Sequence, residues 1–127
     1  MNHPEHAIAT LLWSELDDNG QPLDSLGAEL APEARRRIET EWADFSAKAE
    51  ALGFDALEHR STMLPRDCDA DHWAAVAHDW VLTRNRHGAG FWDGDWAEPW
   101  GQRLTDLAHA SGEISLYLGD DGLIYAC

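Results

Sequence analysis

The chain has 127 residues, 44% of them apolar, which is enough for one domain with its own hydrophobic core and excludes a wholly disordered protein. Its 24 acidic residues outnumber its 9 Lys and Arg residues, and the formal net charge is −15. Because such a charge repels phosphate backbones, direct binding of nucleic acid is excluded as the expected function. We treat residues 1–127 as a single domain.

The first predicted helix begins near Pro4 and carries Ile8, Leu11 and Leu12 on one face. It ends at a run of turn residues, and residues 17–30 are predicted to form an irregular loop.

The clearest predicted helix covers residues 32–52 and ends at Gly53. Its apolar residues recur at intervals of three and four positions, as expected for one buried face: Ala34, Ile38, Trp42, Phe45, Ala49 and Leu52. The run Arg35–Arg37 is predicted to lie on the solvated face, paired with nearby acids rather than forming an anion site.

The segment that follows is less regular. Residues 54–68 fit no single element, and a helix is predicted from about residue 69 or 71 to residue 78. Residues 81–83, Val-Leu-Thr, have strand propensity, so a strand is predicted there. Trp80 and Trp92 are expected to anchor a hairpin under the core.

The last predicted helix covers residues 97–110. Alternating apolar residues from Ile114 to Leu118 predict a strand, residues 119–122 predict a turn, and residues 123–125 predict the returning strand. Together these elements predict an α+β fold, with three to four helices packed on one face of a small antiparallel sheet that includes a C-terminal hairpin.

The sequence lacks the patterns that are typical of membrane-spanning, secreted and metal-binding proteins. No apolar run approaches the roughly 20 residues of a membrane-spanning helix, and the first residues lack the basic and apolar regions of a signal peptide. Cys68 and Cys127 do not have metal-binding spacing, and His72 and His78 are too far apart along one helix to share an ion. We therefore expect a cytoplasmic protein with no cofactor, metal or membrane partner.

The acidic residues are unevenly distributed. Residues 1–30 carry six acids and no Lys or Arg, and residues 91–127 carry seven acids and one Arg. If the two ends meet in the fold, they form one strongly negative surface, whereas exposed surfaces ordinarily mix both signs. The predicted members of this acidic surface are Asp17, Asp18, Asp24, Glu29, Asp93, Asp95, Glu98, Asp120 and Asp121. Each of them can alternatively be a turn or cap residue, and the charge can serve solubility alone.

Residues 80–96 concentrate three Trp, three Gly, two Arg, one His and two Asp. Gly88 and Gly90 permit a tight turn or the close approach of another backbone. Because Trp and Arg are enriched in interface hot spots, we predict a second contact loop here. Its candidate residues are Arg84, Asn85, Arg86, His87 and Trp92. In the structural alternative, the arginines pair with neighbouring aspartates and the tryptophans close the core.

A catalytic interpretation would use His78 or His87 as a general base, oriented by Asp79 or Asp93. The sequence contains no nucleophile elbow, no phosphate-binding loop and no clear carboxylate dyad to accompany them. We therefore predict that the protein is not an enzyme, and we assign no catalytic residues.

Three strings of the chain are similar to sequences in small acidic proteins encoded by bacteriophages and mobile elements. They are residues 12–14 (Leu-Trp-Ser) with the acidic loop of residues 17–24, residues 82–93, and the hairpin of residues 116–125. The resemblance covers both ends and the centre of the chain. It is weakest across residues 53–72, and Arg86 stands where a Gly is expected. It carries over no biochemical activity and no catalytic residues.

The resemblance implies a context, because small acidic phage proteins often counter host defences, including restriction and CRISPR systems. A surface studded with carboxylates can imitate the field of duplex DNA, which carries one charge per roughly 1.7 Å of axis. We therefore expect an anti-CRISPR or anti-restriction inhibitor that blocks the cationic surface of a host defence protein by DNA mimicry. One alternative is a non-enzymatic accessory module that binds protein through the Arg84–Trp92 loop. Another is a small enzyme or ligand binder centred on His87.

Overall fold

The protein is described by a computed structural model that covers residues 4–17, 19–56, 58–59, 61, 72–86 and 90–127. The predicted site residues Asp18 and His87 lie outside the described residues, as do Pro65, Cys68, Asp69, Asp71 and Gly88. The described chain forms helices α1 (Glu5–Ser14), α2 (Pro32–Ala51), α3 (His72–Arg84) and α4 (Trp100–Ala110), followed by strands β1 (Leu116–Leu118) and β2 (Ile124–Ala126). A short 3₁₀ helix, Leu23–Leu26, lies within the predicted first loop.

The longest helix, α2, matches the sequence pattern closely. Pro32 occupies its first turn, and the predicted stripe lies in the core, with Leu52 exposed just beyond the last helical residue. Gly53 follows with a φ of +98°, which ends the helix in the left-handed conformation that glycine adopts without strain. The adjoining arginines pair as expected, since Arg35 contacts Glu5 at 3.1 Å and Arg37 contacts Glu41 at 2.8 Å.

Helix α3 corrects two predictions from the sequence. It does not end at His78 but continues to Arg84, so the predicted strand at residues 81–83 is wrong. Every residue from Trp80 to Arg84 is buried, and α3 packs against both α1 and α4. A helix that is enclosed on several sides loses its one-sided apolar pattern, and its tertiary packing overrides the strand propensity of its β-branched residues.

Aromatic side chains fill the core between α2, α3 and the loop that follows α3. The Trp42 ring lies 5.2 Å from that of Trp80, and Phe45 stacks on Phe91 at 5.9 Å. Trp80 is fully buried, and its indole N–H donates to Ser111 Oγ at 3.2 Å. Such ring pairs each contribute about 0.5–1.5 kcal/mol beyond the apolar area that they bury.

Gly90 joins this loop to α3 at close range. A Cβ on Gly90 would lie 2.2 Å from Thr83 Oγ1, and the next residue, Phe91, donates its backbone N–H to the same oxygen at 3.0 Å. The close backbone approach that the sequence suggested for Gly90 is therefore present. The predicted hairpin anchored by Trp80 and Trp92 is absent from the described chain, because Trp80 is helical and Trp92 is 56% exposed.

The C-terminal hairpin forms where the alternation predicted it. Strands β1 and β2 are antiparallel, with Tyr117 opposite Tyr125. The segment before α2 extends this sheet by one bridge, because Ile124 N–H donates to Glu29 O at 2.9 Å and Ala31 N–H donates to Ile124 O at 2.8 Å. Four helices packed on a small antiparallel sheet near the C-terminus give the predicted α+β fold.

Among the described residues, none of the helices combines the length and the apolar character needed to cross a lipid bilayer.

Candidate partner-binding surface

The first acidic loop, residues 15–31, is shaped by Asp17. Its Oδ1 accepts the backbone N–H groups of Asn19 at 2.9 Å and Gln21 at 2.8 Å, which is the turn role that the sequence offered as an alternative. Asp24 and Glu29 are exposed. Asp17 therefore has a structural role in the loop, while Asp24 and Glu29 present carboxylates to solvent.

The turn of the hairpin carries Asp120 and Asp121, both exposed. Asp121 accepts the Leu123 N–H at 3.0 Å and a short hydrogen bond from the Tyr125 hydroxyl. The Tyr125 hydroxyl, and then the Leu123 N–H, lower the pKa of Asp121, and the same carboxylate raises the pKa of Tyr125 to about 12. Asp121 therefore stays ionised in mildly acidic solution and Tyr125 stays neutral well above neutral pH.

The two acidic ends of the chain meet at the sheet. The backbone bonds of Glu29 and Ala31 to Ile124 join the first loop to β2. On the other side of the hairpin, the loop and β1 line a groove of about 440 Å³. Its lining residues are Leu16, Asp17, Asn19, Leu116, Tyr117 and Leu118. The two ends of the chain therefore come together, as the sequence required for one acidic surface: Leu16, Asp17 and Asn19 lie beside β1, and Glu29 and Ala31 bond to β2.

A second group of acids lies on the loop after α3. Asp93 accepts the backbone N–H groups of Gly90 and Asp95, each at 3.3 Å, and so caps its own turn. Burial and the neighbouring Asp93 carboxylate raise the pKa of Asp95. Glu98 is exposed and accepts the Gln102 N–H at 3.3 Å at the start of α4.

His78 and Asp79 lie beside this second group. His78 Nδ1 and Asp79 Oδ1 are 2.9 Å apart, and Asp79 Oδ2 accepts the Trp96 indole N–H at 2.6 Å. The hydrogen bond to Asp79 raises the pKa of His78 against the opposing effect of burial, and the charges of Asp79 and Asp93 add to the rise. The Trp13 ring, at the end of α1, lies 5.8 Å from the His78 ring. His78 and Trp13 thus lie between the second acidic group and the start of the first loop.

The histidine and aspartate of one form of the catalytic alternative, His78 and Asp79, are therefore in contact, and Asp79 has a second partner in Trp96. Asp79 orients the imidazole with one oxygen and holds the Trp96 indole with the other. Within the described ranges, no cluster of three or more His, Cys, Asp or Glu side chains could hold a metal ion.

The bases of the described chain are largely engaged by other acids. The ion pairs are Arg35–Glu5, Arg35–Glu39, Arg37–Glu41, Lys48–Asp44, Arg84–Glu41 and Arg86–Glu113. The predicted surface acids that the structure describes form no ion pair with a described Lys or Arg: Asp17, Asp24, Glu29, Asp93, Asp95, Glu98, Asp120 and Asp121. Their negative charge is therefore not cancelled locally.

Arg84 was predicted as a contact residue, and the structure corrects this. Its side chain is fully buried. Its Nη2 donates to Glu41 Oε1 at 2.5 Å and to Ser111 O at 3.0 Å, and its Nε donates to Gly112 O at 2.6 Å. The guanidinium carbon lies 4.7 Å from the centroid of the Trp80 ring. Arg84 is a core residue that cannot reach a partner, because α3 carries it into the interior.

The other described residues of the predicted contact loop differ in burial and in their contacts. Asn85 is half-buried, and its Oδ1 accepts the Ile114 N–H at 2.8 Å, so its side chain holds the start of the hairpin. Arg86 is exposed, has a φ of +57°, and lies 3.6 Å from Glu113. Trp92 is exposed. Of the described members of this loop, only Arg86 and Trp92 remain accessible to a partner.

Sequence reasoning missed the apolar residues beside the first loop. Trp13, Leu16, Tyr117 and Leu118 are each 45–57% exposed, and three of them line the groove. The alternation groups Leu118 with Ile114 and Leu116, which are buried, but Leu118 is 47% exposed. The short β1 leaves the end of its apolar row uncovered.

No protein-family model matches this chain, and no curated protein and no solved structure is significantly similar to it.

Proposed function

We propose that the protein is a small acidic inhibitor that occupies the cationic nucleic-acid-binding surface of a host defence protein. Both expected classes of inhibitor, anti-CRISPR and anti-restriction, fit this proposal. The inhibitor would act in the host cytoplasm. The proposal is supported chiefly by the carboxylates of the first loop and the hairpin turn, which backbone bonds between Glu29, Ala31 and Ile124 bring to one end of the molecule.

The charge balance supports a cationic partner. Arg35, Arg37 and Lys48 on α2 and Arg84 on α3 are paired with acids of the same chain. The described acids that the sequence assigned to this surface form no ion pair with a described base: Asp17, Asp24, Glu29, Asp120 and Asp121. A net charge of −15 with this distribution attracts a basic groove and accelerates association at low salt.

The exposed aromatic and aliphatic side chains can supply the binding affinity that surface charge alone does not. Rim charges contribute mainly to the rate of association, while desolvated apolar anchors contribute most of the affinity. Trp13, Leu16 and Leu118 lie beside the acidic loop and provide such anchors.

The accessory-module alternative depends on the loop from Arg84 to Trp92. Because Arg84 is buried and Asn85 holds the hairpin, this loop offers a partner little more than Arg86 and Trp92 among its described residues. The structure therefore favours the acidic surface as the first contact.

Competition with DNA tests the proposal. Purified CRISPR effector complexes and restriction enzymes are mixed with fluorescent duplex DNA, and the protein is added at about 50 mM and about 300 mM NaCl. We expect the protein to displace DNA from at least one of these complexes at low salt, with its affinity falling at least about tenfold at the higher salt.

Matched charge variants locate the contact. The variant Asp24→Lys/Glu29→Lys/Asp120→Lys, which changes exposed acids of the first loop and the hairpin turn, should lose most of its inhibition. A control with the same net charge, Asp44→Lys/Glu50→Lys/Asp106→Lys, changes exposed acids of α2 and α4 and should retain it. Equal loss in both variants, or no displacement of DNA at low salt, would contradict the proposal.

A further inference from the structure

The outer edge of β1 has unpaired backbone groups. Ser115 and Cys127 exchange two backbone hydrogen bonds, at 3.3 and 2.9 Å, and Gly119 N–H donates to Leu123 O at 2.7 Å. In an antiparallel pair, hydrogen-bonded and non-hydrogen-bonded positions alternate. Leu116 and Leu118 are therefore non-hydrogen-bonded positions, and their N–H and C=O groups point away from β2.

These outward groups have no backbone partner among the described residues. The sheet consists of β1 and β2, and its additional bridge, at Leu30, is to β2 and not to β1. An edge strand with free N–H and C=O groups is a template for another extended chain.

The groove beside β1 runs along this edge. All three strand residues, Leu116–Leu118, line it, together with the loop residues Leu16, Asp17 and Asn19. Consecutive side chains of a strand point to opposite faces, so a groove lined by the whole strand follows the backbone edge rather than one face. The loop forms the opposite wall of a slot of about 440 Å³.

The walls of this slot indicate the chemistry of its occupant. Leu16 is 57% exposed and Leu118 is 47% exposed, so the slot offers apolar contacts on both sides. Asp17 lines the slot, and Asp120 and Asp121 follow β1 after Gly119. An extended segment that alternates apolar side chains with Lys or Arg would satisfy the backbone edge, the leucines and the carboxylates together.

A second copy of this chain fits the edge poorly. Pairing two β1 strands would bring together two molecules that each carry a net charge of −15, with the aspartates of the slot and the hairpin turn near the contact.

We propose that β1 captures an extended basic segment of the partner protein by β-augmentation in the slot that Leu116–Leu118 form with Leu16, Asp17 and Asn19. This inference rests on the proposed function, since it names the part of the cationic partner that the acidic protein would hold. The paired backbone supplies orientation, and Asp17 with the hairpin aspartates selects for Lys and Arg.

The test uses the full chain and a short synthetic peptide of alternating lysine and valine as the probe. Amide hydrogen exchange is followed by NMR with and without the peptide. We expect the peptide to slow exchange at the Leu116 and Leu118 amides, and to leave the Tyr117 amide, which is already directed at β2, unchanged. A peptide of alternating glutamate and valine should not bind.

Two variants separate backbone pairing from side-chain contact. Leu118→Pro removes an outward N–H, and we expect the affinity for the lysine–valine peptide to fall about tenfold, as for the loss of one backbone hydrogen bond. Leu118→Ala keeps the N–H and should lose less. Circular dichroism shows whether each variant is folded. Should Leu118→Pro not fold, a lysine–valine peptide N-methylated along one edge makes the same comparison on the unchanged protein, and it should bind about tenfold more weakly.

The results distinguish this inference from the proposed function. Unchanged exchange at Leu116 and Leu118, or equal binding of the N-methylated peptide, would overturn the β-augmentation even if DNA displacement succeeds. Concentration-dependent protection of the same amides in the protein alone would show a second copy at the edge and would also overturn it. Peptide binding at the edge without DNA displacement would instead refute only the proposal that the partner surface is a nucleic-acid-binding one.

Discussion

Arg84 and Glu41 form an ion pair of 2.5 Å that joins the end of α3 to the middle of α2. The guanidinium is fully buried, whereas the carboxylate is 27% exposed and also accepts from Arg37. Burial raises the pKa of Glu41, but the hydrogen bonds from Arg37 and Arg84 and the charges of these residues outweigh it. The net effect is a pKa below the ordinary value, so Glu41 stays ionised. The contact thus joins two helices, and Glu41 stabilises the charge of Arg84, whose burial would otherwise be unfavourable.

Glu41→Gln tests how much this contact stabilises the fold. The change leaves a buried guanidinium without a counter-charge, and we expect the free energy of unfolding to fall by about 3 kcal/mol. Urea denaturation at neutral pH measures it. The control is Glu39→Gln, since Glu39 lies on the same helix, is exposed and approaches Arg35 only to 3.8 Å. Its loss should stay below about 0.5 kcal/mol. Similar losses in the two variants would mean that the Ser111 and Gly112 carbonyls alone hold Arg84.

His78 gives the protein a titration that can be followed directly. Its pKa is raised above the ordinary value of 6.5, first by the hydrogen bond to Asp79 and less by the charge of Asp93. We expect the NMR titration of the His78 ring to shift to lower pH in Asp79→Asn and by a smaller amount in Asp93→Asn. Asp44→Asn, on α2, should leave it unchanged. An equal shift in all three variants would point to net charge rather than to local contacts.

The sign of the accompanying stability effect follows from the raised pKa of His78. The protonated ring stabilises the folded state fully below the unfolded pKa of 6.5, and this contribution is lost as the pH rises through the higher folded pKa. The stability difference between the native chain and His78→Gln should therefore shrink as the pH rises from about 6 to about 8.

Gly90→Ala should be strongly destabilising, because its Cβ would lie 2.2 Å from Thr83 Oγ1 within the core and its φ is +151°. We expect a loss of at least about 2 kcal/mol, measured by thermal or urea unfolding. Gly94→Ala is the matched control in the same loop, since Gly94 has a φ of +100° but open space at its Cβ position. It should lose only about 1 kcal/mol from backbone strain. Comparable losses would assign the effect of Gly90 to its dihedral angle alone.

Trp92 and Trp96 lie in the same loop, but Trp92 is exposed and Trp96 is buried, so their variants can be compared directly. Trp96→Phe removes the indole N–H that Asp79 accepts at 2.6 Å, and we expect a loss of about 1–2 kcal/mol in the free energy of unfolding. Trp92→Ala should change it by less than about 0.5 kcal/mol, because the ring is 56% exposed. A large loss in Trp92→Ala would show that this ring contributes to the folded state and is not reserved for a partner.

The sequence predicted those elements whose local pattern and packing agree. Helix α2 has an apolar stripe, a proline at its start and a glycine after its end, and all three have the predicted role. The hairpin likewise follows from alternation around the turn at residues 119–122. In both cases one face meets the core and the other meets solvent, so the periodicity of the sequence reports the element directly.

Prediction failed where an element is buried on several sides. Helix α3 shows no one-sided pattern, because α1, α4 and the aromatic core surround it. Its Val-Leu-Thr run therefore predicts a strand that the structure does not contain. The same error placed Arg84 on a free turn. Its real environment, between Glu41 and the carbonyls of residues 111 and 112, is built from three distant segments.

The sequence by itself determined the amount of negative charge and its concentration at the two ends of the chain, since charge is additive along the sequence. Only the tertiary structure decided that the first loop pairs with β2, that Glu41 holds the buried Arg84, and that an apolar slot lies beside β1. The pairing of the first loop with β2 depends on the backbone bonds of Glu29 and Ala31 to Ile124. Local periodicity carries no information about contacts between segments so distant along the chain.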